Sequence, residues 1–184
     1  LEHAVMKNDN HTILYDQFES PIGPLLVVAR GEALCSVDFL DYEDRMDKLL
    51  TRRFGESERK QSKDPCGFTS RLQAYFLGDF RAIDGLPLDF HGSPFQEIVW
   101  RALCDIPLGA TETYGQLAAR IGKPSASRAV GHANSKNPIA IVVPCHRVIG
   151  ANSSLTGYAG GMHRKQWLLE HERGIRGLFS AQRF

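Results

Sequence analysis

The sequence predicts an α+β chain in two parts, a small antiparallel sheet with helices followed by a mainly helical C-terminal part that contains a helix-turn-helix. Three observations predict it. Short runs of alternating or apolar residues separated by Gly and Pro turns open the chain, capped helical patterns begin at Ser93, and the two parts differ sharply in charge. With 184 residues, 42% hydrophobic and 23% charged, the composition excludes a disordered or fibrous chain.

The N-terminal part, residues 1–92, reads as three strands, Thr12 to Phe18, Pro24 to Val28 and Ala33 to Phe39, turned by Ser20-Pro21-Ile22-Gly23 and Arg30-Gly31-Glu32. That pattern predicts an antiparallel meander. Helical periodicity follows over Glu43 to Phe54 and Thr69 to Phe76, with a polar linker from Gly55 to Lys63 and a turn at Gly78. Nothing here has catalytic spacing, so this part is read as a scaffold. Leu86 to His91 reads as an extended connector to the second part, residues 93–184.

Ser93-Pro94-Phe95-Gln96 has the N-cap, first-turn proline and capping-box spacing of a helix start. Phe95, Ile98, Val99, Ala102, Leu103 and Ile106 then form one buried stripe, with Cys104 beside it, until Pro107 and Gly109 stop the helix. Thr113-Tyr114-Gly115-Gln116 repeats the capping spacing for a short helix that ends at Gly122-Lys123-Pro124. A second short helix, Ser125 to Ser135, carries the small residues Ala126, Ala129, Gly131 and Ala133. Two short helices joined by a glycine-containing turn are the pattern of a helix-turn-helix.

Residues 1–112 hold 12 Lys/Arg against 19 Asp/Glu, and residues 113–184 hold 10 against 2. No acid occurs from Thr113 to Leu169. So long a depletion predicts a surface that meets an anion, with nucleic acid the leading class. The longest apolar stretch, Ile139 to Val143, is far below the roughly 20 residues of a membrane span, and Leu1 to Asn10 lacks a secretory pattern. A cytoplasmic location follows as the expectation. Cys35, Cys66, Cys104 and Cys145 contain no Cys-x-x-Cys pair, and all but Cys145 are read as core.

The apolar run Ile139 to Val143, read as a buried strand or extended core segment, leads directly into Pro144-Cys145-His146-Arg147-Val148. A thiolate is the reactive form of cysteine, and the adjacent imidazole and guanidinium predict a lowered thiol pKa at Cys145. Neighbouring side chains of an extended segment diverge, so His146 reaches Cys145 only through a turn or a water.

Pro144-Cys145-His146-Arg147-Val148-Ile149-Gly150, with Asn137-Pro138 before it and Gly157-Tyr158-Ala159-Gly160-Gly161 after it, resembles the active-site signature of 6-O-alkylguanine-DNA alkyltransferases. The resemblance runs from Ser93-Pro94-Phe95-Gln96 through Tyr114-Gly115 and Ser127-Arg128-Ala129-Val130-Gly131 to Leu168-Leu169-Glu170-His171-Glu172. Ser20-Pro21-Ile22-Gly23-Pro24-Leu25 also resembles the start of bacterial members.

The resemblance implies that Cys145 accepts an alkyl group from the 6-oxygen of guanine, and also from the 4-oxygen of thymine, once and irreversibly. No cofactor is implied. It casts His146 as the base acting through a water, Glu172 as its orienter, Asn137 as the support of the turn, and Tyr114 as proton donor to the leaving guanine. The partner is double-stranded DNA, bound through the minor groove without strong sequence preference by a monomer, with the damaged nucleotide flipped out. Arg128 fills the vacated stack, and Lys123, Ser127, Ala129, Gly131 and Ser135 lie at the DNA face.

Val148, Tyr158, Ala159 and Gly160 wall the pocket, backbone groups at Cys145, Val148 and Ala159 read the base edge, and Gly160 leaves room for larger alkyl groups. Cys35 and Cys66 lack a matching set of metal ligands, so no metal is expected. Three other readings are weaker. A non-repairing lesion binder would lack Cys145, a sequence-specific regulator would carry longer side chains on its second helix, and a cysteine hydrolase has no use for an acid-free surface. The tail Gly174 to Phe184 is basic and apolar and is assigned no role.

Overall fold

A computed structural model describes residues 12–174. The reading of Leu1 to Asn10 and that of the tail after Gly174 lie outside the described residues. Three strands, β1 (Ile13–Ser20), β2 (Gly23–Arg30) and β3 (Ala33–Phe39), form the expected hairpins. β1 and β2 pair antiparallel, with Ser20 opposite Gly23, so Pro21 and Ile22 make a two-residue turn.

The sheet is mixed, not purely antiparallel. After α1 (Glu43–Phe54), the segment read as a polar linker contains β4 (Arg59–Gln61), which pairs parallel with β1, so the strand order is β3-β2-β1-β4. All three residues of β4 are exposed. Strand formation there is carried by backbone hydrogen bonds to β1, which leave no apolar alternation to read in the sequence.

Strand periodicity divides the core. Leu26 and Val28 face α1, where Met46 and Leu50 complete a small cluster with Ile13 and Cys35. Leu25, Val27 and Ala29 face the other way into the main core, as do Leu34, Val37 and Phe39. Burial on both faces explains the unbroken apolar run in β2. α2 (Phe68–Phe76) packs into the main core through Phe68, Leu72 and Tyr75.

α3 (Pro94–Cys104) begins with the predicted reciprocal cap between Ser93 and Gln96, and buries Val99, Trp100, Ala102 and Leu103. α4 (Tyr114–Arg120) carries the second capping box, Thr113 with Gln116, and α5 (Ser127–Ser135) follows after a turn. Trp100 Nε1 donates to Ala133 O at 2.9 Å, which ties α3 to α5. A two-stranded parallel pair, β5 (Glu112–Thr113) with β6 (Val148–Ile149), and α6 (Met162–Glu172) complete the chain.

Ile139 to Val143 is buried apart from the half-buried Val142, but it is a compact turn and not a strand. Val37 N–H donates to Pro138 O and Ala140 N–H to Val37 O, so only its start pairs with the edge of β3. The chain then folds back through Ile141, whose φ of +74° is unusual for a β-branched residue. Among the expected core cysteines only Cys35 is buried; Cys66 and Cys104 are exposed. Cys66 sits in a loop ahead of α2, and Cys104 ends α3 off its apolar stripe, where its spacing does not carry it inward.

Candidate active site and nucleic-acid interface

Cys145 starts a single 3-10 turn, Cys145–Arg147, directly before β6. Its position follows from two locks on the preceding loop. Asn137 Nδ2 donates to Val143 O at 2.8 Å while its Oδ1 accepts from Ile139 N–H at 3.0 Å, so one amide side chain closes both ends of the loop. Arg45 of α1 donates to Ser135 O at 3.3 Å and Asn137 O at 3.2 Å, and is itself held by Asp38 of β3 at 2.8 Å.

The turn directs Cys145 and His146 into different surroundings. His146 is fully buried, and its Nε2 lies 2.8 Å from Glu172 Oε1. Glu172 also receives Arg147 through Nε at 2.8 Å and Nη2 at 2.9 Å, and Tyr75 Oη at 2.8 Å. Burial alone would raise the Glu172 carboxyl, but His146 and Arg147 outweigh it and hold it far below the usual carboxylate range. An ionised Glu172 only accepts, so His146 Nε2 carries the donated proton and Nδ1 is left as an acceptor.

The Cys145 thiol is nearly buried, and that burial pushes its pKa up. This corrects the sequence expectation of a lowered value. The adjacent imidazole is committed to Glu172, and Arg147 is turned to the same carboxylate with Nη1 on Ile106 O at 2.6 Å. What opposes burial comes from elsewhere: a hydrogen bond from the Asn137 side chain, then the charges of Lys165 and Arg45. Lys165 is fully buried, donates from Nζ to Val148 O and to Thr156 O, and burial lowers its own pKa to about 8.

Cys145 lines a narrow cavity with Tyr158, Ala159, Gly160, Asn134 and Phe39, whose free core is only about 10 Å³. Val148 does not line it, and its carbonyl is taken by Lys165. The room expected at Gly160 is filled: a Cβ there would stand 2.5 Å from the Phe39 ring and 2.7 Å from the Tyr158 ring. Gly160 therefore admits a close contact of the Phe39 and Tyr158 rings, and the space a side chain would take there is filled. Among the described residues, the buried side-chain polar atoms without a protein partner are Asn134 Oδ1, Tyr158 Oη and His146 Nδ1. Two line this cavity and the third belongs to the residue after Cys145, which marks the site as one built to meet further polar groups.

Tyr114 opens α4 and donates its hydroxyl toward Thr156 O and Gly157 O, each at 3.3 Å; burial, then the nearby Cys145, raise its pKa. Gly131 of α5 lies against its ring. Arg128, Ala129 and Ser135 are exposed on α5, Ser127 is half-buried at its first turn, and Lys123 is exposed in the turn before it. The structure thus joins Asn137 to Cys145 and His146 to Glu172, the two pairs connected through the Cys145–Arg147 turn, and leaves Arg128 and Lys123 exposed on α5 and in the turn before it.

Sequence reasoning missed Lys165, Tyr75, Asn134 and the Asp38–Arg45 pair. Lys165 had a signal: Lys165, Leu168, Leu169 and Glu172 share helical spacing, so both charges lie on the buried stripe of α6. Tyr75 had none, being 97 residues from its partner.

Comparison with known proteins finds relatives along nearly the whole described chain. Residues 94–174 match the 6-O-methylguanine DNA methyltransferase DNA binding domain, and residues 13–90 match the ribonuclease-like domain of the same enzymes. A methylated-DNA–protein-cysteine methyltransferase of Salmonella typhimurium is 48% identical over 163 residues, covering 87% of this chain and 95% of that protein. One of Mycobacterium tuberculosis is 44% identical over 88% of this chain and 93% of its own length. The crystal structure of Mycobacterium tuberculosis OGT in complex with DNA superimposes with a TM-score of 0.74 at 41% identity, covering 89% of this chain and 93% of that one. With both halves of the described chain matched, and with relatives 44–48% identical over nearly their whole length, the chain belongs to the 6-O-methylguanine DNA methyltransferase family.

Proposed function

We propose that this protein repairs alkylated DNA by transferring the alkyl group from the 6-oxygen of guanine to Cys145, in one irreversible turnover per chain. The observation that carries the reading is a nearly buried thiol locked by Asn137 on one side and followed by the His146–Glu172–Arg147 network on the other. His146 Nδ1 takes the thiol proton through a bridging water, and Glu172 fixes the ring and stabilises the imidazolium that forms. The sulfur lone pair attacks the alkyl carbon, the carbon–oxygen bond breaks, and its electron pair leaves on the guanine 6-oxygen. Tyr114 supplies a proton to the base as that charge develops, and the guanine departs neutral.

The thioether on Cys145 has no leaving group that water can displace, so the thiol does not return. The 4-oxygen of thymine presents the same alkyl–oxygen bond and is a second substrate. A base stacked in a duplex cannot reach a nearly buried thiol, so the nucleotide is flipped, at a cost of about a few kcal/mol. α4 and α5 act as the helix-turn-helix that enters the minor groove, with Arg128 in the vacated stack and Ser127, Ala129, Gly131, Lys123 and Ser135 along the contact. Tyr158 and the backbone of Ala159 receive the base. Four cysteines standing as free thiols suit a reducing cytoplasm.

Intact-protein mass after incubation with a duplex carrying one 6-O-methylguanine tests the reading. One methyl group is gained per chain, none with Cys145→Ser and none with undamaged DNA. Lesion-dependent binding with no mass gain would replace it with a lesion binder that does no repair.

A further inference from the structure

Away from Cys145, a cleft of about 340 Å³ opens where the C-terminal ends of α1 and α5 meet the start of α3. Arg52, Arg53, His91, His132 and Lys136 line it, and no carboxylate does. Arg53 is engaged inward, donating to Phe90 O at 2.7 Å, Cys35 O at 2.8 Å and Asp89 O at 2.6 Å. Arg52 and Lys136 differ from it. Both are exposed, and among the described residues neither side chain makes a hydrogen bond or an ion pair. Glu97 of α3 is occupied by Gly92 N–H and by Arg101, each at 3.3 Å, and does not neutralise them.

Cations that converge without a counter-charge repel one another until an anion joins them. The place of this cleft identifies the anion. On α5 the exposed residues Arg128, Ala129, His132 and Ser135, continued by Lys136 at the C-cap, fall on one stripe by helical spacing, and the stripe ends in the cleft. Arg128 and Lys136 are about 12 Å apart along the helix, twice the roughly 6 Å width of a minor groove. A helix that crosses the groove with Arg128 inside it therefore carries Lys136 past the rim, onto the flanking phosphate backbone.

We propose that Arg52 and Lys136, with His132 between them on the α5 side, bind a backbone phosphate of the DNA duplex. The N-terminal part, which its sequence presents as scaffold, thereby becomes part of the DNA interface. This rests on the reading that α5 faces DNA.

Binding of an undamaged duplex, followed by fluorescence anisotropy across a salt series, tests it with the full chain. Arg52→Ala and Lys136→Ala each weaken binding and lower the slope of log affinity against log salt, and the double substitution lowers it by about 0.9, the signature of one lost phosphate contact. Between about 50 and about 200 mM salt, the gap between the doubly substituted and the unsubstituted protein then narrows about 3.5-fold. Lys48→Ala, an exposed cation of α1 outside the cleft, leaves the slope unchanged. An unchanged slope in Arg52→Ala, or an equal drop in Lys48→Ala, overturns the proposal. Arg128→Ala separates the two levels. If it weakens binding while Arg52→Ala does not, only the cleft is wrong; if neither weakens it, the placement of α5 on DNA fails as well.

Discussion

Tyr75 Oη, on α2 in the N-terminal part, donates at 2.8 Å to Glu172 Oε1, the same oxygen that holds His146 Nε2. A residue of the presumed scaffold thus shares an acceptor with the residue that follows the reactive cysteine. Tyr75→Phe keeps the ring packing and removes one hydrogen bond to a buried charge, which costs about 1.5–3 kcal/mol of stability. Urea unfolding reads it directly. A loss below about 0.5 kcal/mol would show that the bond adds nothing to the fold.

Lys165 supplies a positive charge that opposes the upward push of burial on Cys145. Lys165→Met raises the thiol pKa further, lowers the thiolate fraction at neutral pH about tenfold for each unit of that rise, and slows alkylation by a smaller factor because the more basic thiolate is the better nucleophile. Thiolate absorbance as a function of pH, beside the alkylation rate, measures both. An unchanged titration midpoint would remove Lys165 from the activation of the thiol.

Burial raises the Asp38 carboxyl from 3.8 to about 6, against the pull of Arg45. A raised carboxyl binds its proton more tightly in the folded state, so its contribution to stability is present below pH 3.8 and is lost as pH rises through about 6. Asp38→Asn abolishes that dependence. The difference in unfolding free energy between the two proteins therefore changes by about 3 kcal/mol across this window. Parallel pH curves would contradict it. Glu172 acts with the opposite sign: its stabilisation is present above its ordinary value of 4.5 and is lost on further acidification.

A Cβ added at Gly160 would lie 2.5 Å from the Phe39 ring. Gly160→Ala therefore destabilises by about 1–3 kcal/mol through overpacking. Phe39→Leu in the same chain recovers part of this by clearing the ring. Thermal unfolding of the single and double variants decides it, and strict additivity would place the strain elsewhere.

The candidate nucleophile Cys145 and its neighbours Asn137 and His146 were legible because they are short-range features. Asn137, Cys145 and His146 lie within ten positions of one another, and the capping boxes at Ser93 and Thr113 are local hydrogen-bond patterns that recur in the structure as read. Charge depletion needed only counting. β4 was illegible because backbone pairing with β1 makes it a strand without an apolar pattern.

By itself the sequence determined the three-stranded meander, the capped starts of α3 and α4, the Asn137-to-Cys145 signature and the charge of the partner. Local sterics, helix periodicity and summed charge need no long-range information. Tertiary structure alone decided how the thiol is tuned and what the N-terminal part contributes. Tyr75, Asp38 and Arg45 reach the centre across up to 97 residues of chain, and the cations of the cleft meet only when the C-terminal ends of α1 and α5 are brought to one place. The rise in the Cys145 pKa has the same origin. Burial is a property of everything packed around the sulfur, and neighbours in sequence do not reveal it.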